Sequence, residues 1–257
     1  MKFAIICPIP LLNEFAVASD YHMALTHLVL MNQQYASFYK ARSLSGDYVI
    51  LDNSIIELGN AVDISKLIEA AELVHANEIV LPDVYRNKDE TLSAVYHALE
   101  TGKDRLNGYK LMAVPQGQNY AEWFECYHEL ITIKEIDVIG IPKVTSTFGD
   151  SDKGRIVLCD ILDGKQRLGI GTDKEYHLLG VWNNPYPEIP KLSAFSWIRG
   201  VDTILPIQMG QRGISLSETR FNRPQIKADF YDGHTGSNSL IIESNIFKML
   251  SWGRSRC

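Results

Sequence analysis

The chain has 257 residues, 46% of them hydrophobic and 22% charged, with a formal net charge of −6. That length and balance fit one sizeable α/β domain or two small ones of globular type, and the acidic balance gives no support to nucleic-acid binding by bulk charge. No apolar run reaches the roughly 18–20 residues that span a bilayer.

The N-terminal "MKFAIICPIP" reads as a buried first strand, Phe3–Cys7, rather than a signal peptide. Further short apolar runs predict strands at Tyr48–Leu51, Glu78–Leu81, Tyr109–Val114, Asp137–Ile141, Tyr176–Leu179 and Val201–Leu205. Most are continuous in apolar residues, as a parallel strand covered on both faces requires. Helical spacing predicts helices over Asp63–Ala76, with Asp63 as cap, and over Lys88–Thr101, Tyr120–Ile133 and Lys153–Leu162. Repeating strand–helix units of this length predict a TIM-type (β/α)8 barrel, with an open doubly wound sheet as the alternative. No GxGxxG or Walker loop follows the first strand, which lowers a nucleotide-binding Rossmann reading. No linker divides residues 1–257, so a single barrel domain is expected.

Cys7, Cys126, Cys159 and Cys257 are scattered without a CxxC, which argues against a structural zinc site and a disulfide framework. A cytoplasmic compartment is the matching expectation. Residues 199–257 hold eight Lys/Arg against five Asp/Glu. This basic C-terminal part, about 206–257, is compatible with a phosphate-contacting face through Arg212, Arg220 and Arg223.

Barrel active sites form where strands end and βα loops begin. "YVILDNSIIELG" ends a strand on Asp52, "EIVLPDV" on Asp83 and "LMAVPQG" on Gln116. "DVIGIPK" carries Gly140 and Lys143, "YHLLGV" carries Leu179 and Gly180, and "RGVDTILP" carries Asp202 at or within its strand. Three carboxylates at one mouth would be costly without a ligand or chemistry to use them. Two such groups suit attack and proton transfer at a glycosidic carbon, and a third with an amide suits the edge of a purine. The same trio can equally hold a divalent metal.

The ordered set "ILDNSIIELG", "LPDV", "VPQG", "IGIPK", "YHLLGV" and "GVDTILP" resembles the tRNA-guanine transglycosylase superfamily, and most of all its short phage-type DNA members. The resemblance implies exchange of guanine in DNA for a 7-deazaguanine such as preQ0, by a pentosyltransferase that needs no cofactor or metal. DNA, free 7-deazaguanine and guanine would be its partners, with tRNA as the alternative substrate. Asp202 would be the nucleophile and Asp52 the general acid/base. Asp83, Gln116, Gly140, Leu179 and Gly180 would hold the base, and Lys143 a further part of the substrate. The zinc-binding subdomain of the tRNA enzymes has no counterpart in residues 203–257. The other readings left open are a metal-dependent barrel hydrolase and a non-enzymatic nucleic-acid-binding accessory protein that keeps the barrel without turnover.

Overall fold

The computed structural model describes residues 1–149, 153–182, 185–217 and 227–254. Eight parallel strands form the expected (β/α)8 barrel: β1 (Lys2–Ile5), β2 (Tyr21–Leu25), β3 (Tyr48–Asp52), β4 (Glu78–Val80), β5 (Lys110–Ala113), β6 (Val138–Pro142), β7 (Glu175–Leu179) and β8 (Ile198–Thr203). The ladders run continuously from β2 through β8 to β1. At the seam β1 and β2 lie beside one another without a shared ladder among the described residues, so the barrel is nearly closed.

The helices on the outside are α1 (Gln33–Leu44), α2 (Ile64–Val74), α3 (Lys88–Gly102), α4 (Tyr120–Leu130), α5 (Gly154–Arg167), α6 (Pro185–Ser193), α7 (Leu205–Gly210) and α8 (Ser239–Arg254). Among the described residues four begin at side-chain caps, Asn32 before α1 included, and Asp63 is the one expected from the sequence. Asp63 accepts from the Ser65 amide, Asn87 from that of Glu90 and Asn119 from that of Glu122, each satisfying a donor of the first turn. Their inward faces, such as Leu67, Ile68, Ala71 and Val74 of α2, are buried against the sheet.

Two sequence expectations are corrected. Strand β2, "YHMAL", was not anticipated, because its two histidine- and tyrosine-bearing positions break the apolar run; both Tyr21 and His22 are nonetheless buried. The last strand covers Ile198–Thr203 rather than Val201–Leu205, which places Asp202 near its C-terminal end. The basic C-terminal part contributes α7 and α8, and Asn245 of α8 accepts from the Leu216 amide and donates to the Pro206 and Ile214 carbonyls. Arg212 is exposed just beyond α7, whereas Arg220 and Arg223 lie outside the described residues.

The two ends of the barrel differ in kind. At the N-terminal end, residues at or next to the starts of strands form an ionic floor. Arg199 donates to Glu175 at 2.6 Å and to both oxygens of Glu78, Tyr48 donates to Glu78 at 2.6 Å, and Lys110 pairs with Glu175. The charges there are matched within the protein. The C-terminal end opens into a cavity of ≈ 460 Å³. Among the described residues no helix is long and apolar enough to cross a membrane.

Candidate active site at the barrel mouth

Asp52, Asp83 and Asp202, far apart in the chain, all line the mouth cavity, together with Glu57 and Lys143. Apolar groups from the strand ends, including Ile6, Met23, Val80 and Val114, form much of the remaining wall. The two acidic side chains expected to meet, Asp52 and Asp202, therefore share one space sized for a small molecule.

The β3 loop builds the first part of the site. Asp52 ends the strand, and its Oδ2 accepts from the Ser54 amide at 2.8 Å. Ser54 sits in the left-handed region (φ 60°), which turns the chain sharply and sends Asn53 towards β4. There Asn53 Nδ2 donates to the Leu81 carbonyl at 2.8 Å and to Asp83 Oδ1 at 2.7 Å. Gln116 Nε2 donates to the other Asp83 oxygen at 2.6 Å, while Gln116 Oε1 accepts from the Arg86 amide at 3.0 Å. Asp83 is thus clamped between two amides, and each of its oxygens keeps a lone pair for a further donor. Gln116 acts on Asp83 from the side, leaving one N–H for anything else.

Asp202 is held from another direction. Gly180 N–H donates to its Oδ1 at 3.0 Å and His177 Nε2 lies 3.3 Å from the same oxygen. Gly180 is in a left-handed conformation (φ 68°), and a Cβ there would sit 2.9 Å from Lys143 Cδ. Glycine therefore lets the Lys143 stem lie against the β7 loop. Gly140 is needed for space: a Cβ would meet Leu179 Cδ1 at 2.8 Å and Met112 Sδ at 3.0 Å. Leu179 itself lines the cavity.

Behind this wall, Arg155 of α5 is fully buried. It pairs with Glu188 of α6 at 2.8 Å and donates to the carbonyls of Ile141, Leu179 and Gly180. Glu188 also accepts from the Trp182 amide at 2.9 Å. This buried pair locks the ends of β6 and β7 together, and with them the amide that holds Asp202. It has no signature in the strand-end motifs, because its two members lie on helices.

Burial dominates the electrostatics. Removal from water, then the charge of Glu57, pushes the Asp52 carboxyl well above the ordinary carboxylate range, against the pull of the Ser54 amide. Glu57 is raised by burial and by Asp202, with Lys143 and Lys227 pulling it back down. Asp83 is raised by burial to about 6, although the bonds from Asn53 and Gln116 oppose the shift. Asp52 thus lies in the field of Glu57, and Glu57 in that of Asp202. Glu57 takes its place in the cavity beside Asp52 only when the β3 loop folds over. Its Oε2 and the indole Nε1 of Trp182, another cavity residue, are buried without partners among the described residues.

Among the described residues no group of three or more His, Cys, Asp or Glu is arranged to hold a metal ion. The metal-trio alternative, and the hydrolase built on it, is corrected accordingly.

No protein-family model matches the chain, and no curated protein matches it. Solved structures similar to it include CdNal of Clostridium difficile in complex with mannosamine, at 9% identity and TM-score 0.47, over 98% of this chain and 80% of that one. An N-acetylneuraminate lyase of Mycoplasma synoviae is 10% identical with TM-score 0.46, over 82% of this chain and 74% of that one. CitE of Mycobacterium tuberculosis, in complex with magnesium, acetoacetate and coenzyme A, is 11% identical with TM-score 0.48, over 96% and 97%. The resemblance drawn from the short motifs is corrected: no family model or curated protein supports it, and the structures named here are not guanine transglycosylases. Membership of that superfamily, the pentosyltransferase class and base exchange in DNA or tRNA are corrected with it. At such identities the neighbours bring no reaction of their own to this chain.

Proposed function

We propose that the chain is an enzyme whose barrel mouth binds a small, uncharged, planar molecule bearing N–H donors beside a carbonyl, and moves protons at it. The observation that carries this reading is that Asp52, Glu57, Asp83 and Asp202 converge on one largely apolar cavity. The ionic floor at the opposite end matches its carboxylates with Arg199 and Lys110, whereas at the mouth Glu57 Oε2 is buried without a partner among the described residues. Several acids gathered at such a place are characteristic of chemistry or ligand binding rather than of stability.

The roles follow from the environments. Asp83, fixed between two amides, accepts from the N–H edge of the ligand, and the spare N–H of Gln116 is available to its carbonyl. The Asp52/Glu57 pair retains a proton where an exposed carboxyl would have lost it, so it serves as general acid and then base. Asp202 faces the ligand from β8, while Leu179 and Trp182 supply flat apolar contact. Lys143 places a positive charge where negative charge would build up.

A binding experiment tests this directly, with 2-aminopyrimidin-4-one as probe and pyrimidine, which lacks the N–H donors, as control. A fragment of this size that satisfies Asp83 is expected to bind with Kd of about 1 mM or tighter. Asp83→Asn should weaken it at least about tenfold, since a bond to a charged acceptor is worth roughly 1.5–3 kcal/mol. Equal binding of pyrimidine, or no binding of either compound, would overturn the reading.

A further inference from the structure

His177 lies in the middle of β7, fully buried inside the barrel. Its two ring nitrogens are both engaged. Nδ1 is 2.9 Å from the Tyr21 hydroxyl on β2, and Nε2 is 3.3 Å from Asp202 Oδ1 on β8. Tyr21 reaches this point from across the barrel because position 200 is glycine: a Cβ there would stand 2.7 Å from Tyr21 Cε1. The Tyr21 ring is further held by stacking on Tyr48, with centroids 5.6 Å apart and planes at 17°.

A neutral imidazole has one N–H, and the neighbours decide where it sits. Burial lowers the His177 basicity, with Arg199 adding to the effect and Asp202 and Glu78 opposing it. Burial also raises Tyr21, so its hydroxyl keeps its proton and can donate. If Tyr21 donates to Nδ1, the ring proton must be on Nε2, directed at Asp202. The opposite tautomer would set a bare nitrogen lone pair against a carboxylate oxygen. Among the described residues both donors to Asp202, His177 and Gly180, fall on Oδ1, and none reaches Oδ2.

We propose that Tyr21 and His177 are positioning residues: the Tyr21 hydroxyl fixes His177 as the Nε2–H tautomer, which pins Asp202 Oδ1 and leaves Oδ2 presented to the cavity. The proposal rests on the reading of Asp202 as a group that faces the ligand. The relay spans three strands, β2, β7 and β8, so the direction of the carboxylate is set by the barrel wall rather than by its own loop. No net proton transfer is involved; the relay orients.

The test is 15N NMR of the full chain labelled at histidine, at neutral pH. His177 is expected to show a protonated, pyrrole-type Nε2 and an unprotonated, pyridine-type Nδ1. Tyr21→Phe keeps the ring and its stack but deletes the donor. It should shift the Nδ1 signal, admit the second tautomer and move the Gly180 amide proton that shares Asp202 Oδ1. A wild-type His177 protonated on Nδ1 would overturn the proposal even if the variant failed to fold. So would a folded Tyr21→Phe whose ring nitrogens and Gly180 amide are unchanged. These readouts need no ligand: failure of the probe compounds to bind, with the tautomer as expected, would remove the proposed function and leave the relay standing.

Discussion

Asp83 offers a quantitative check on the cost of placing acids at the mouth. It is 3% exposed, and burial raises it from 3.8 to about 6. At 1.36 kcal/mol for each pH unit, that interval corresponds to about 3 kcal/mol of differential stability. The folded value lies above the unfolded one, so the group is a destabilising one. Its penalty is nearly absent below about pH 4, grows as the unfolded chain releases the proton first, and is complete somewhat above about pH 6. Asp83→Asn removes the titration but also changes the bonding. Asn53 and Gln116 each donate to one carboxylate oxygen, and an asparagine has only one oxygen to offer. One donor is left facing an NH2 group, at a cost of about 1–3 kcal/mol at every pH. The variant is therefore expected to be less stable than wild type at pH 4. Towards pH 7 it should draw level or move ahead, the difference shifting by about 2–3 kcal/mol. Urea unfolding followed at both pH values measures this. Parallel pH dependences of the two proteins would refute the burial argument for this carboxyl.

The remaining expectations concern neighbouring parts of the site. Asp52→Asn removes a group already biased towards its uncharged form, so urea unfolding at pH 7 should differ from wild type by no more than about 1 kcal/mol. Arg155→Met leaves Glu188 buried and unpaired and frees three carbonyls, and should cost about 3–5 kcal/mol in the same assay. The double variant Arg155→Met with Glu188→Gln should recover part of that loss, because no uncompensated charge remains. Gly140→Ala drives Leu179 and Met112 aside; the expected cost is about 1–3 kcal/mol, with probe binding lost as Leu179 moves into the cavity. Gln116→Ala removes one of the two clamps on Asp83, so probe binding should weaken several-fold by calorimetry while Asp52 is untouched.

Much of the barrel was legible because its physics is local. Runs such as "YVILD" and "DVIGIP" announce strands covered on both faces, and Asp63 announces a helix start. Strand β2 was hidden because its polar residues serve long-range partners: Tyr21 meets His177, and His22 meets Asp47 at 2.8 Å. A burial pattern cannot be read from residues whose partners are 156 positions away. The strand-end acids were legible as a set, since each interrupts an apolar run. What they do was not, because short motifs at strand ends are shared by barrels of many chemistries. The residues that aim them, Asn53, His177, Arg155 and Glu188, come from a tight turn, a strand interior and two helices. Only the folded chain brings them together.

The claim on which the account depends is that the mouth keeps carboxyl groups protonated beyond their ordinary range. Carbon-13 NMR of a chain labelled at the Asp and Glu carboxyl carbons reads this group by group. Asp52 and Glu57 are each expected to titrate above Asp63, whose exposed carboxyl is held down by the Ser65 bonds. Asp83 is expected to reach its midpoint near about 6. Asp52 and Glu57 ionising over the same pH range as Asp63 would contradict the account.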